Sequence, residues 1–85
     1  MSEAAVYQDV APRVEAALRS HFPTDTVDVW AGYEGRVHVL VVSKAFNGRS
    51  EKERQAMLWD IMKRELGPDA DLVAFAIAWG TDELR

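Results

Sequence analysis

The side chains with the most chemical reach gather between Ser43 and Arg54. Lys44, Arg49, Lys52 and Arg54 supply four cations, and Ser43 and Ser50 supply two hydroxyls, around Phe46 and Gly48. Four cations this close could meet phosphates, an acidic protein surface, or only water. Ser50 already has a structural task. With Glu53 three residues later it forms a capping box, in which each side chain satisfies a free amide at the start of a helix.

Other reactive constellations are sparse. Nucleophilic catalysis needs a nucleophile, a base and an orienting group within hydrogen-bond reach, and local spacing sets no histidine beside Ser43 or Ser50. The two histidines, His21 and His38, stand far apart in sequence, and a lone imidazole is a poor metal site. His38 reads as a partly exposed strand residue. His21 follows a helix, whose C-terminal end favours a cation. Asp69 and Asp71 flank a turn, where acids are common. With no cysteine, thiol catalysis, disulfides and zinc–thiolate sites are excluded within the chain. Gly32-Tyr33-Glu34-Gly35 matches the nucleic-acid clamp of KH domains only as a string, because it falls between two strands and carries a glutamate. No phosphate-binding glycine loop is present. The reading is a non-catalytic chain with no metal ligands and no cofactor.

The elements that must position these residues follow from periodicity. Val6, Val10, Val14 and Leu18 recur every fourth residue and mark one helix face. Pro12 confines the regular part to about Asp9–Ser20, leaving residues 1–8 as a frayed or separate start. Phe22 is expected to fold back onto the core. Val27 to Trp30 and Arg36 to Ser43 read as strands joined by a tight turn, hence an antiparallel hairpin. Ser50 to Leu66 is a second helix closed by Gly67 and Pro68, with Met57, Leu58, Ile61, Met62 and Leu66 as its core stripe. Leu72 to Trp79 is a third strand.

The order α-β-β-α-β predicts an α+β two-layer sandwich, with both helices on one face of a three-stranded mixed sheet. At 85 residues this is a single domain, residues 1–85, burying roughly 60–65% of its unfolded surface. Bulk suggests that Val73, Phe75, Ile77 and Trp79 face the helices while Ala74, Ala76 and Ala78 face away. A slip of one residue would exchange those faces. The uncovered face then carries Trp30, Leu40, Val42 and Ala76, an apolar patch suited to a partner or a second copy of the chain, unless residues 1–8 cover it.

Net charge is −4, with residues 36–66 carrying seven basic against four acidic residues and both flanks acidic. That balance argues against general nucleic-acid affinity while leaving a local exception in the middle third. No long apolar run or basic-then-apolar leader is present, so a soluble, cytoplasmic protein without membrane contact is expected.

Ser43, Phe46, Gly48, Ser50 and Arg54, preceded by a Val-rich strand and followed by Met57-Leu58-Trp59 and Glu65-Leu66, resemble the BolA family from about Val14 to Glu83. The resemblance implies a fold related to type II KH domains. It also implies partnership with monothiol glutaredoxins, often through a shared [2Fe-2S] cluster, in iron homeostasis and stress responses; some members are described as DNA-binding regulators. The chain departs from the family pattern at its key positions. Gln55 replaces the histidine after Arg54, Ala78 aligns with the cluster-ligating histidine, and Ala31–Gly35 offers no second ligand. Asp82 replaces the proline after Thr81. The expected function is a protein-interaction adaptor or regulator without cluster ligands of its own. Its partner surface would comprise Ser43, Lys44, Phe46, Gly48, Arg49, Lys52, Arg54 and the chain end from Ala78. A nucleic-acid-binding KH-like module and a homodimer formed through the open sheet face are the alternatives.

Overall fold

The computed structural model describes the backbone of residues 3–32 and 35–84, and the side chains of residues 9–32 and 35–82. The elements run α1 (Glu3–His21), β1 (Thr26–Ala31), β2 (Val37–Val42), α2 (Glu51–Leu66) and β3 (Val73–Trp79). Short 3-10 turns span Lys44–Phe46, Gly67–Leu72 and Thr81–Leu84. The sheet order is β1-β2-β3, antiparallel then parallel. This is the α+β sandwich expected from the order of elements. The tip of the hairpin, including Tyr33 and Glu34, lies outside the described residues.

Helix α1 begins earlier than the sequence suggests. It runs from Glu3 through Pro12, so residues 3–8 extend the helix and do not form a separate start or cross the open sheet face. Proline removes one helical N–H and crowds the preceding turn. The buried face of Val10, Ala11, Val14 and Leu18 holds the helix on the sheet on both sides of that fault. An ion pair from Arg13 to Asp69 (2.5 Å) ties α1 to the turn after α2, and a contact from His21 to Glu65 (3.0 Å) ties it to the last turn of α2 itself.

Helix α2 starts as its capping box dictates. Ser50 Oγ accepts from the Glu53 N–H (3.2 Å), and Glu53 Oε1 accepts from the Ser50 N–H (2.9 Å). At the other end Gly67 turns at φ 58, a left-handed conformation that a side chain would resist. Leu58, Met62 and Leu66 line its buried face.

The third strand corrects the expected faces. Val37 pairs with Val73 but His38 pairs with Phe75, so Ala74 is an extra residue, a β-bulge. Beyond the bulge the alternation is inverted. Ala76 and Ala78 enter the core at 8% and 0% exposure, whereas Phe75 and Trp79 stand outside at 52% and 41%. The reason is volume. Phe46, Leu58 and Met62, all fully buried, already occupy the core that Ala76 and Ala78 join, and small side chains suit a close-packed interior there better than Phe75 and Trp79 would.

Candidate functional site

The turn between β2 and α2 is built by residues whose side chains point inward. Ser43 is 2% exposed; its N–H donates to the Trp79 carbonyl (3.0 Å) and its Oγ accepts from the Ala45 N–H (3.1 Å). Phe46 is fully buried, 5.7 Å from the Phe22 ring. Gly48 follows at φ 73. Two of the cations also serve the turn. Arg49 Nε donates to the Ala45 carbonyl (3.1 Å) and Arg54 Nε to the Arg49 carbonyl (3.0 Å). Lys44, Arg49 and Lys52 are exposed. Of the surface residues expected from the sequence, Ser43, Phe46 and Ala78 are therefore corrected. Their side chains are consumed by capping and by the core, where no partner can touch them.

The same geometry joins the turn to the chain end. Asn47 Nδ2 donates to Thr81 Oγ1 (2.9 Å), and Asn47 Oδ1 accepts from the Asp82 N–H (3.3 Å). Gly80 lies beneath this clip: a Cβ there would fall 2.3 Å from Asn47 Oδ1. Only glycine permits so close an approach. The segments 43–54 and 79–82, distant in sequence, thus form one continuous surface.

Beside that surface runs a groove of about 540 Å³, between α2 and the outer edge of β3. Trp59, Phe75, Ile77 and Trp79 supply apolar walls, Gln55 crosses it, and Glu51 is its charged lining residue. Gln55 Nε2 donates to the Ala76 carbonyl (2.9 Å) and to Glu51 Oε1 (3.2 Å), while Gln55 Oε1 accepts from Trp59 Nε1 (3.0 Å). Its position, three residues before Leu58 on the core stripe, explains how a helix side chain reaches a strand edge. From the sequence Gln55 reads only as a missing histidine, and Phe75, Ile77 and Trp79 read as helix-facing, not as surface. The bulge that exposes them has no signature in the run Val73-Ala74-Phe75-Ala76-Ile77-Ala78-Trp79.

The outer face of the sheet differs from expectation in composition. Trp30, His38 and Phe75 form a row across the three strands, with ring centroids 5.7 and 5.6 Å apart. Leu40 lies half-buried on the same face, and Trp30 is 38% exposed. Val42 is buried at 7%, and Ala76 belongs to the opposite, helix-facing side. Ala76 is thus removed from the expected interface, and Phe75 takes its place.

The donor set does not fit the iron–sulfur cluster that the resemblance brings to mind. Ala78 is buried and has no lone pair to offer, His38 packs between two aromatic rings, and the chain has no cysteine. Among the described residues, no group of three or more His, Cys, Asp or Glu side chains is placed to hold a metal ion. No described helix is long and apolar enough to cross a membrane. Glu53 has its carboxyl held below the usual range, first by the Ser50 N–H, then by the Ser50 hydroxyl, with Arg49 adding to both. Comparison of the chain with protein-family models, curated proteins and solved structures finds no match.

Proposed function

We propose that this chain is a non-catalytic, BolA-like docking module, an adaptor or regulator acting in the cytoplasm. It receives a protein partner at the groove between α2 and the β3 edge. The observation carrying this reading is the Asn47 clip, which unites the turn and the chain end into one surface beside that groove. Apolar walls with a few polar groups suit recognition. The hydroxyls of Ser43 and Ser50 are committed to caps, which leaves them poorly placed as nucleophiles. By resemblance, a monothiol glutaredoxin in iron homeostasis or stress response is the first partner to test, with this chain supplying no cluster ligand.

The test is to titrate the purified protein into a monothiol glutaredoxin carrying its [2Fe-2S] cluster, recording heat and visible spectrum together. The expected result is a complex with an unchanged spectrum, weakened by Trp79→Ala. A shifted spectrum would mean that this chain ligates iron, against the proposal. Absence of a complex at 100 µM of each protein, about a hundred times a micromolar Kd, would eliminate this partner. Steeply salt-dependent binding to single-stranded RNA or DNA would instead favour the nucleic-acid alternative. Dimerisation abolished by Phe75→Lys would favour self-association.

A further inference from the structure

The acidic residues of α2 differ in what they meet. Glu53 lies 4.0 Å from Arg49, Glu65 lies 3.0 Å from His21, and Asp60 pairs with Arg64. Glu51 meets only the neutral amide of Gln55 (3.2 Å) and no basic side chain among the described residues. It is also the charged residue that lines the groove between α2 and β3, where no lysine or arginine accompanies it.

Trp59 and Trp79 share that lining. Trp79 is 41% exposed, and neither indole makes a ring contact with another aromatic side chain among the described residues. An aromatic face carries negative charge density, so open indoles beside an unpaired carboxylate are complementary to a cation. The kind of cation follows from its donors. A quaternary ammonium has no N–H for the carboxylate, and a lysine ammonium is a compact, strongly hydrated charge that suits apolar walls poorly. A guanidinium is planar and weakly hydrated, and it can lie on an indole while donating to a carboxylate. The groove, at about 540 Å³, has room for such a side chain.

We infer that this groove receives an arginine side chain of the protein partner, its guanidinium lying on Trp79 and donating to Glu51. This deepens the docking reading and rests on it. Nothing already bonded has to move. Glu51 accepts from Gln55 through Oε1, which leaves its second oxygen for the guest, and Gln55 keeps its bonds to Trp59 and the Ala76 carbonyl. Those bonds fix the Glu51 carboxylate and the Trp59 ring edge in advance, so binding does not have to order them. A nucleic acid would set its phosphates against the same carboxylate.

The probe is the terminally blocked peptide Gly-Gly-Arg-Gly-Gly, titrated into the full chain while the tryptophan indole N–H resonances are followed by NMR. Control peptides carry citrulline, lysine or trimethyllysine in place of arginine; citrulline keeps the planar shape and loses the charge. The proposal expects saturable binding in the millimolar range or tighter, with Trp79 shifting and Trp30, outside the groove, unmoved. The citrulline peptide should bind about fivefold more weakly or worse, having lost both the cation–π contact and the charged hydrogen bond. Glu51→Gln, which keeps an acceptor for the Gln55 amide, should weaken the arginine peptide about threefold or more. Trp79→Leu, which keeps apolar bulk but removes the aromatic face, should weaken it about two- to fivefold. The same spectra show that each variant is folded. Equal binding of the citrulline peptide, tighter binding of the lysine or trimethyllysine peptide, unchanged affinity in either variant, or no shift at about 20 mM peptide would overturn the inference. A glutaredoxin complex that weakens with Trp79→Ala but ignores Glu51→Gln would leave the docking reading standing and sink the arginine inference alone.

Discussion

Replacing Gly80 by Ala tests the unit on which the candidate site depends. The added methyl would fall 2.3 Å from Asn47 Oδ1, 2.6 Å from Asp82 Oδ1 and 3.2 Å from Asn47 Cα. The two oxygens belong to mobile side chains and can retreat, whereas the Cα can yield only a few tenths of an ångström. Asn47 must therefore rotate away and give up its bonds to Thr81 and Asp82. At about 0.5–1.5 kcal/mol net for each bond, the change should cost about 1–3 kcal/mol, toward the lower end because the clip is exposed. Asn47→Ala removes the same two bonds and should cost about 1–2 kcal/mol. In the double variant those bonds are lost only once and the worst clash is gone. Its destabilisation should fall short of the sum by about 1 kcal/mol. Urea denaturation of all four proteins, compared at constant m, measures this coupling. Additivity within about 0.3–0.5 kcal/mol would refute the idea that Gly80 is small because Asn47 sits over it.

Three further predictions concern the same turn. The lowered Glu53 pKa means that its contribution is complete above the ordinary glutamate range and is lost as pH falls through and below it. Between about pH 5 and pH 3, the urea midpoint should therefore fall more steeply in the wild type than in Glu53→Gln; parallel slopes would contradict that assignment. Ser50→Ala should cost about 1 kcal/mol at neutral pH by the same assay, through loss of the cap to the Glu53 N–H. Phe46→Ala should cost about 3–5 kcal/mol, enough to threaten a domain of this size, as thermal melting would show. A loss under 1 kcal/mol would mean that Phe46 is not the core anchor that fixes the turn.

What the sequence by itself determined was local. The capping box at Ser50 and Glu53, the Gly67 stop, the four-residue spacing of Val10, Val14 and Leu18, and the tight connection between β1 and β2 each lie within a few residues. Short-range hydrogen bonds and side-chain periodicity are sufficient to specify them. The start of α1 lies earlier than the sequence predicts because Pro12 acts locally against a helix, while the packing that overrules it is long-range. Tertiary structure alone decided three features of the site. The bulge at Ala74 inverted the faces of β3, setting Ala76 and Ala78 in one core with the fully buried Phe46, Leu58 and Met62 and leaving Phe75 and Trp79 outside. The clip from Asn47 to Thr81 and Asp82 spans more than thirty residues. The reach of Gln55 to Ala76 depends on the distance between a helix and a strand edge. Alternation in a single strand reads equally well in either register, and only the volume beneath it selects one.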